Sequence, residues 1–106
     1  MRLLFLGDVV GEGGCKFLMK KLPDYKRENK IDVCIANGEN SAQGNGVTPC
    51  SCEMLFSSGV DFITLGNHAF DNNEVCALLK NKPDIIRPLN VKDVYDGDGS
   101  KVIKVN

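Results

Sequence analysis

The sequence predicts an α/β fold in which a mainly parallel sheet is flanked by helices. Three short apolar runs, at residues 3–6, 33–36 and 62–65, each lead into a polar motif and then into a segment of helical character. The strand–loop–helix units are about 30 residues long, the usual size of a βαβ module. Because helical connections make neighbouring strands parallel, the carboxyl ends of these strands should share one edge of the sheet.

The first unit occupies the N-terminal third of the chain. Residues 2–7 predict a strand buried on both faces, because the apolar side chains follow one another without alternation. The glycines of residues 11–14 predict a flexible turn, and a helix follows from about residue 15 to residue 28. Pro23 lies inside this helical pattern and is expected to kink or divide the helix.

The second unit has the clearest helix boundaries. Residues 32–36 predict a strand, and a polar loop follows it. Thr48 is a suitable N-cap, and Pro49 suits the first position of a helix that extends to about Ser58. Gly59 is expected to close this helix as its C′ residue.

The third unit begins with a strand at residues 60–65. Asp71 is expected to cap the third helix. Residues 85–86 predict a short fourth strand, and residues 102–105 predict a further strand at the point where the sequence stops. Because domains seldom end inside a sheet, we expect residues 1–106 to be a single domain that is truncated at its C-terminal end.

Bulk properties exclude several classes of protein. The formal net charge is −1, and the sequence contains no basic stripe that suggests binding to a phosphate backbone. No sequence-specific nucleic-acid partner is therefore expected. No apolar run approaches the roughly 20 residues that span a bilayer, so no membrane partner is expected. Asp8 interrupts the only apolar run near the N-terminus, which does not resemble a signal peptide. We therefore expect a soluble, cytoplasmic protein.

The five cysteines do not predict a disulfide framework, because their number is odd and no secretory signal precedes them. Cys34 lies in a predicted buried strand and should behave as a small apolar residue. Cys50 and Cys52 form a C-x-C pair that would suit a soft metal or redox chemistry, but no second thiol pair or nearby histidine supports that role.

Polar side chains follow the first three predicted strands at their carboxyl ends. If the strands are parallel, these side chains should converge in one crevice. Carboxylate and amide oxygens together with an imidazole are suitable ligands and proton donors for a hydrolytic metal site. The candidate residues are Asp8, Glu39, Asn40, Asn67 and His68.

Each motif also has an ordinary structural interpretation. An isolated Asp8 after a strand is more often a turn or capping residue than a metal ligand. Asn37-Gly38 is typical of a tight turn, although the helix that follows disfavours a hairpin. A lone histidine such as His68 is more often structural than catalytic. The combination of motifs is therefore stronger evidence than any one of them.

Two further segments are weaker candidates. Residues 11–14 resemble a phosphate-binding loop, but their spacing matches neither nucleotide-binding motif, although a helix N-terminus there could hold an anion. Arg87 is a secondary candidate for a phosphate contact and Asn90 for a substrate contact. An exposed arginine ahead of a turn proline explains Arg87 equally well.

Taken together, the motifs resemble those of the bacterial metallophosphoesterases of the YmdB type, within the calcineurin-like phosphoesterase superfamily. The resemblance covers nearly the whole chain, in order and with matching spacing. It is carried by Gly7-Asp8-Val9-Val10-Gly11, Asn37-Gly38-Glu39-Asn40, Thr64-Leu65-Gly66-Asn67-His68 and Arg87-Pro88-Leu89-Asn90.

The resemblance implies the N-terminal half of a four-layered αββα sandwich that carries two divalent metal ions, commonly iron or manganese. It also implies hydrolysis of small phosphodiesters such as 2′,3′-cyclic nucleotides. By motif position, Asp8 and Asn40 would serve the first ion, Glu39 would bridge both ions, Asn67 would bind the second, and His68 would be the proton donor.

The chain departs from the family pattern in two ways. The family has three further histidines downstream, one alone and two in a Gly-His-x-His motif, whereas His68 is the only histidine in this chain. The second sheet of the sandwich is also mostly missing. The chain therefore holds about half of the implied binuclear site, and the activity expected of the complete enzyme does not extend automatically to these 106 residues.

Two other functions are compatible with the sequence. The first is a non-catalytic module that binds a partner or self-associates, since an unfinished sheet leaves an open edge and an apolar face. The second is a flavodoxin-like nucleotide binder, which the missing phosphate-loop motif disfavours.

Overall fold

The computed structural model describes residues 1–42, 46–91 and 97–105. Four strands form one parallel sheet in the order β1-β2-β3-β4, and a helix connects each strand to the next. This confirms the predicted α/β fold. In chain order, the elements are β1 (Leu3–Asp8), α1 (Gly11–Glu28), β2 (Val33–Asn37), α2 (Pro49–Ser58), β3 (Phe62–Thr64), α3 (Val75–Asn81) and β4 (Ile85–Ile86).

The core lies between one face of the sheet and the helices. Strand register places Leu6 beside Ala36, Ala36 beside Ile63, and Ile63 beside Ile85, so one row of small and aliphatic side chains crosses the sheet. All three helices contribute buried side chains to the same cluster. These helical residues are Cys15, Leu18, Leu22, Cys52, Leu55, Val75, Leu78 and Leu79.

The opposite face of the sheet is only partly covered. Its β1 side chains, Leu3 and Phe5, are 51% and 55% exposed. The prediction that β1 is buried on both faces was therefore wrong, because nothing in the described residues packs over this end of the second face. Phe5 has Ile35 as its register partner, and Ile35 has Phe62, so an apolar row continues across this face.

The predicted strand at residues 102–105 is not formed. The segment lies against the sheet instead of joining it. Lys101 Nζ donates to the carbonyl oxygen of Pro83 (2.6 Å) and to Asp84 Oδ1 (3.1 Å), and it lies 5.4 Å from the centre of the Phe62 ring. Side-chain contacts of Lys101 hold the start of this segment.

Helix α1 begins at Gly11, earlier than the sequence predicted. Gly13 and Gly14 lie within its first turn, so the expected flexible turn at residues 11–14 was wrong: the amide of Gly14 donates to the carbonyl of Val10 (3.1 Å) and continues the helix. Pro23 does not divide the helix, which is continuous over 18 residues. The helix remains continuous because Leu18 and Leu22, in the turns before Pro23, are buried in the core.

Helix α2 has the ends that the sequence predicted. Thr48 Oγ1 accepts from the amide of Ser51 (3.1 Å), and Ser51 Oγ accepts from the amide of Thr48 (3.0 Å), which satisfies two amides that have no partner within the helix. Gly59 ends the helix with φ = 116°, a conformation that favours glycine. Both ends of α2 are therefore fixed by local sequence.

Helix α3 begins at Val75, and its N-cap is Glu74 without a side-chain capping bond. The prediction that Asp71 caps this helix was wrong, because its carboxylate pairs with His68 instead. In the described part of the chain, no helix is long and apolar enough to cross a membrane.

Candidate functional site

The polar loops after β1, β2 and β3 meet at the carboxyl edge of the sheet. Backbone hydrogen bonds join them. The amide of Val9 donates to the carbonyl of Asn37 (3.2 Å), and the amide of Gly38 donates to the carbonyl of Thr64 (3.0 Å). A third bond, from the amide of Gly11 to the carbonyl of Asn40 (2.9 Å), ties the start of α1 to the second loop. The parallel topology thus brings together loops that are far apart in the sequence.

Asp8 and Asn40 are in direct contact across this edge. Asn40 Nδ2 donates to both carboxylate oxygens of Asp8, at 3.1 and 3.2 Å. The other end of the amide, Asn40 Oδ1, is buried and has no hydrogen-bond partner among the residues that the structure describes. A buried acceptor without a donor is costly, so this oxygen indicates a place for a missing donor or cation.

Glu39 lies between the second and third loops. Its Oε2 accepts a hydrogen bond from the backbone amide of His68 (2.8 Å). The carboxylate also lies against Gly66, where a Cβ atom would be 2.5 Å from Oε1 and 2.7 Å from Oε2. Glycine is therefore required at position 66 for the carboxylate to occupy this place.

The second loop is anchored to the core and to α2. A Cβ on Gly38 would lie 2.9 Å from Ile63 Cγ2, so the backbone packs directly on the buried side of the sheet. Ser41 Oγ donates to the carbonyl of Gly38 (2.7 Å) and is 3.0 Å from Ser51 Oγ. These contacts hold the backbone that carries Glu39 and Asn40 in place.

His68 Nδ1 lies 2.7 Å from Asp71 Oδ2. With the Nδ1 proton held by this carboxylate, Nε2 remains available for proton transfer. Asp71 was expected to cap helix α3, and its pairing with His68 was not predicted. The spacing of three residues between His68 and Asp71 was the signal that could have indicated the pair.

The structure does not bring all candidate residues into contact. Asn67 is exposed on the third loop, next to His68 in sequence, and no hydrogen bond of its side chain is seen within the described residues. Asn90 is also exposed. Arg87 follows β4 at the same sheet edge, and its Nη1 donates to the carbonyl of Pro88 (3.2 Å). The direct contacts among the candidate residues therefore form two pairs, Asp8 with Asn40 and Glu39 with the backbone amide of His68.

The edge suits a hard or borderline cation only in part. No group of three or more histidine, cysteine, aspartate or glutamate side chains in the described residues is placed to hold a metal ion. The donors are two carboxylates, Asp8 and Glu39, and the free amide oxygen of Asn40. Oxygen ligands of this kind are the ones that an ion such as Mn²⁺ takes, but among these three residues only Asp8 and Asn40 are in direct contact.

The thiols do not form a second site. All five cysteines lie in the described residues, and all are free. Cys50 is exposed whereas Cys52 is buried, so the C-x-C pair is divided between solvent and core. Burial raises the pKa of the Cys52 thiol to about 11, which keeps it protonated and a poor metal ligand.

Comparison with known proteins identifies the family. The sequence profile of the family described as "YmdB-like protein" matches residues 4–106. The chain is 39% identical over its whole length to a protein from Bacillus subtilis (strain 168) named 2′,3′-cyclic-nucleotide 2′-phosphodiesterase, and covers 40% of that protein.

Two solved structures have the same fold. One is a hypothetical protein from Thermus thermophilus, with 44% identity and a TM-score of 0.86; the match covers 93% of this chain and 38% of that one. The other is described as a novel phosphatase from Mycoplasma pneumoniae, with 35% identity and a TM-score of 0.88; the match covers 98% of this chain and 38% of that one.

The chain spans about two fifths of the length of these relatives. Within that span, the profile match extends over nearly every residue, including all four motifs at the sheet edge. The chain belongs to the YmdB-like protein family.

Proposed function

We propose that this chain carries part of the active site of a metal-dependent phosphodiesterase that hydrolyses small phosphodiesters such as 2′,3′-cyclic nucleotides. The observation that carries the proposal is the contact between Asp8 and Asn40 at the carboxyl edge of the sheet, where a buried amide oxygen has no donor within the described part of the chain. The names of the Bacillus subtilis and Mycoplasma pneumoniae relatives, a phosphodiesterase and a phosphatase, support the same chemistry.

The cofactor would be two divalent ions, with iron and manganese as the preferred metals. Asp8 and Asn40 would hold the first ion, Glu39 would bridge the two, and Asn67 would contribute to the second. When bound, such ions polarise a phosphoryl oxygen and lower the pKa of a bound water. Because this chain supplies fewer ligands than a binuclear centre requires, it should bind metal more weakly than a complete site.

The chain's own residues would prepare the site for this chemistry. Asn40 Nδ2 fixes the Asp8 carboxylate, and the His68 amide fixes the Glu39 carboxylate. His68 would donate a proton to the leaving oxygen from Nε2 while Asp71 holds Nδ1. These roles place proton transfer on the third loop and metal binding mainly on the first two.

Hydrolysis of a model diester and of a 2′,3′-cyclic nucleotide in the presence of Mn²⁺ tests the proposal. We expect turnover by the full-length protein to fall at least 100-fold in His68→Ala, which loses the acid–base group, and in Glu39→Gln, which loses the carboxylate proposed to bridge the two ions. Asp24→Asn, which removes an exposed carboxylate paired with Arg27 on α1, is the matched control and should leave turnover unchanged. Equal turnover in wild type and both site variants would reject the assigned roles.

A second candidate function is self-association through the incompletely covered face of the sheet. Leu3 and Phe5 are more than half exposed on β1, and in the described residues β1 pairs with β2 alone. Exposed apolar surface beside an unpaired strand edge favours association. Size-exclusion chromatography with light scattering tests this: a monomer at all concentrations would reject the function, and a dimer that Phe5→Lys dissociates would support it.

The location that we propose is the cytoplasm. Five free thiols are compatible with a reducing compartment. Fractionation of cells that express the chain tests the proposal, and recovery of the chain outside the cytoplasmic fraction would reject it.

A further inference from the structure

Arg87 occupies the same sheet edge as the candidate site. β4 pairs with β3 through Thr64 and Ile86, so Arg87 stands level with Leu65, directly ahead of the Gly66-Asn67-His68 loop. Its backbone amide donates to the carbonyl of Asp98 (2.9 Å). The backbone of Arg87 is therefore held at the carboxyl end of β4 by its bond to Asp98 and by the pairing of the preceding Ile86 with Thr64.

The guanidinium group is incompletely satisfied. Nη1 donates to the carbonyl of Pro88 (3.2 Å), but Nε is buried and has no hydrogen-bond partner among residues 1–42, 46–91 and 97–105. No carboxylate in the described part of the chain forms an ion pair with Arg87. A partly buried cation without an anion destabilises the fold, so its retention calls for an explanation.

The segment after the second gap in the described residues packs over this arginine. A Cβ on Gly99 would lie 3.3 Å from Arg87 Nη1 and 2.8 Å from Leu89 Cα. Glycine at position 99 therefore leaves the space that the guanidinium occupies. The contact restricts the side chain before any ligand binds, which reduces the entropy lost on binding.

We propose that Arg87 is a phosphate-binding residue of the candidate site and that its guanidinium pairs with the non-bridging oxygens of the substrate's phosphoryl group. The inference deepens the proposed function and rests on it for the position of the phosphate. An arginine fork binds phosphate through two parallel, charge-assisted hydrogen bonds, which the neutral carbonyl of Pro88 does not replace. This role is consistent with the position of Arg87 on the edge and with the lack of an ion pair to it among the described residues.

Titration of the purified chain with inorganic phosphate in the presence of a chelator tests the proposal, because no metal can then hold the anion. The readouts are calorimetry and the backbone amide resonances of Gly66 and His68. We expect Arg87→Met to weaken phosphate binding at least tenfold and Arg87→Lys to weaken it less, since lysine keeps the charge but loses the fork. Arg27→Ala, which removes an exposed arginine of α1, is the matched control and should bind phosphate as the wild type does.

Thermal unfolding separates this role from a structural one. Methionine fills much of the same space without a buried charge, so Arg87→Met should unfold at the wild-type temperature or higher. A lower unfolding temperature together with unchanged phosphate affinity would overturn the proposal, as would a wild type that binds no phosphate at millimolar concentration. If Arg87→Met does not weaken phosphate binding but hydrolysis still depends on Glu39 and His68, the role of Arg87 is rejected and the proposed function is not.

Discussion

The carboxylate of Glu39 lies against the backbone of Gly66, in space that any side chain at position 66 would fill. A Cβ there would be 2.5 Å from Oε1. Oε2 of the same carboxylate accepts a hydrogen bond from the backbone amide of His68 (2.8 Å). One glycine thus allows the second loop to dock on the third. This contact joins the proposed metal ligand Glu39 to the loop that carries the proposed proton donor His68.

Gly66→Ala should displace Glu39 without disturbing the remainder of the sheet. We expect only a small loss in the free energy of unfolding, because the atoms that a Cβ would meet belong to the far end of the flexible Glu39 side chain, and a larger loss of Mn²⁺ affinity. Urea unfolding and Mn²⁺ titration measure the two effects. Gly13→Ala is the control, because no atom lies within 4 Å of a Cβ there, and alanine should stabilise the helix. Unchanged metal affinity in Gly66→Ala would contradict the account.

Asn40→Asp should make the stability of the chain depend on metal. Two carboxylates would then face each other where Asn40 Nδ2 now donates to Asp8. Repulsion should lower the unfolding temperature in chelator, and Mn²⁺ should restore it. Thermal unfolding with and without Mn²⁺ checks this. If Mn²⁺ raises the unfolding temperature of Asn40→Asp no more than that of the wild type, no cation binds between these residues.

Asp71→Ala should reduce phosphodiester hydrolysis about tenfold, the lower end of what loss of an orienting partner costs. The carboxylate holds His68 Nδ1 at 2.7 Å but is 41% exposed, so the unfolding temperature should change little. Asp24→Ala removes a carboxylate of the same i,i+3 spacing, paired with Arg27, and serves as the control. Wild-type turnover in Asp71→Ala would remove Asp71 from the mechanism.

Stability should fall at alkaline pH because of a buried thiol. Burial raises the pKa of Cys34 from 9.0 to about 11, although Lys26 acts in the opposite direction. The unfolded chain therefore loses this proton first, so the contribution of Cys34 to stability is complete below pH 9 and is lost as the pH rises towards 11. Urea unfolding at pH 8 and pH 10.5 should show a smaller decline in Cys34→Ala than in the wild type. Equal declines would show that Cys34 does not carry the effect.

The sequence was sufficient to predict the parallel sheet and helix α2, because both depend on local patterns. Apolar runs separated by helical segments predict the strands, and Thr48, Pro49 and Gly59 fix the ends of α2 without help from distant residues. The meeting of Asp8 with Asn40 also followed from topology, since parallel strands end at one edge.

Features that depend on tertiary contacts were not predictable in the same way. The helical conformation of Gly13 and Gly14 overrides the low helix propensity of glycine, because α1 packs through buried Cys15 and Leu18. Asp71 had two possible partners, the amides of α3 and the ring of His68, and only the fold decides between them. The segment at residues 102–105 has strand composition but does not join the sheet, and its composition alone does not indicate whether it pairs with an edge strand.

Binding of Mn²⁺ to the purified chain, measured by calorimetry and electron paramagnetic resonance, tests most directly whether Asp8, Glu39 and Asn40 form one cation site. The account predicts that the wild type binds Mn²⁺, that Asp8→Asn and Glu39→Gln each weaken binding at least tenfold, and that Asp24→Asn does not. Absence of Mn²⁺ binding by the wild type, or equal affinity in Asp8→Asn, would contradict it.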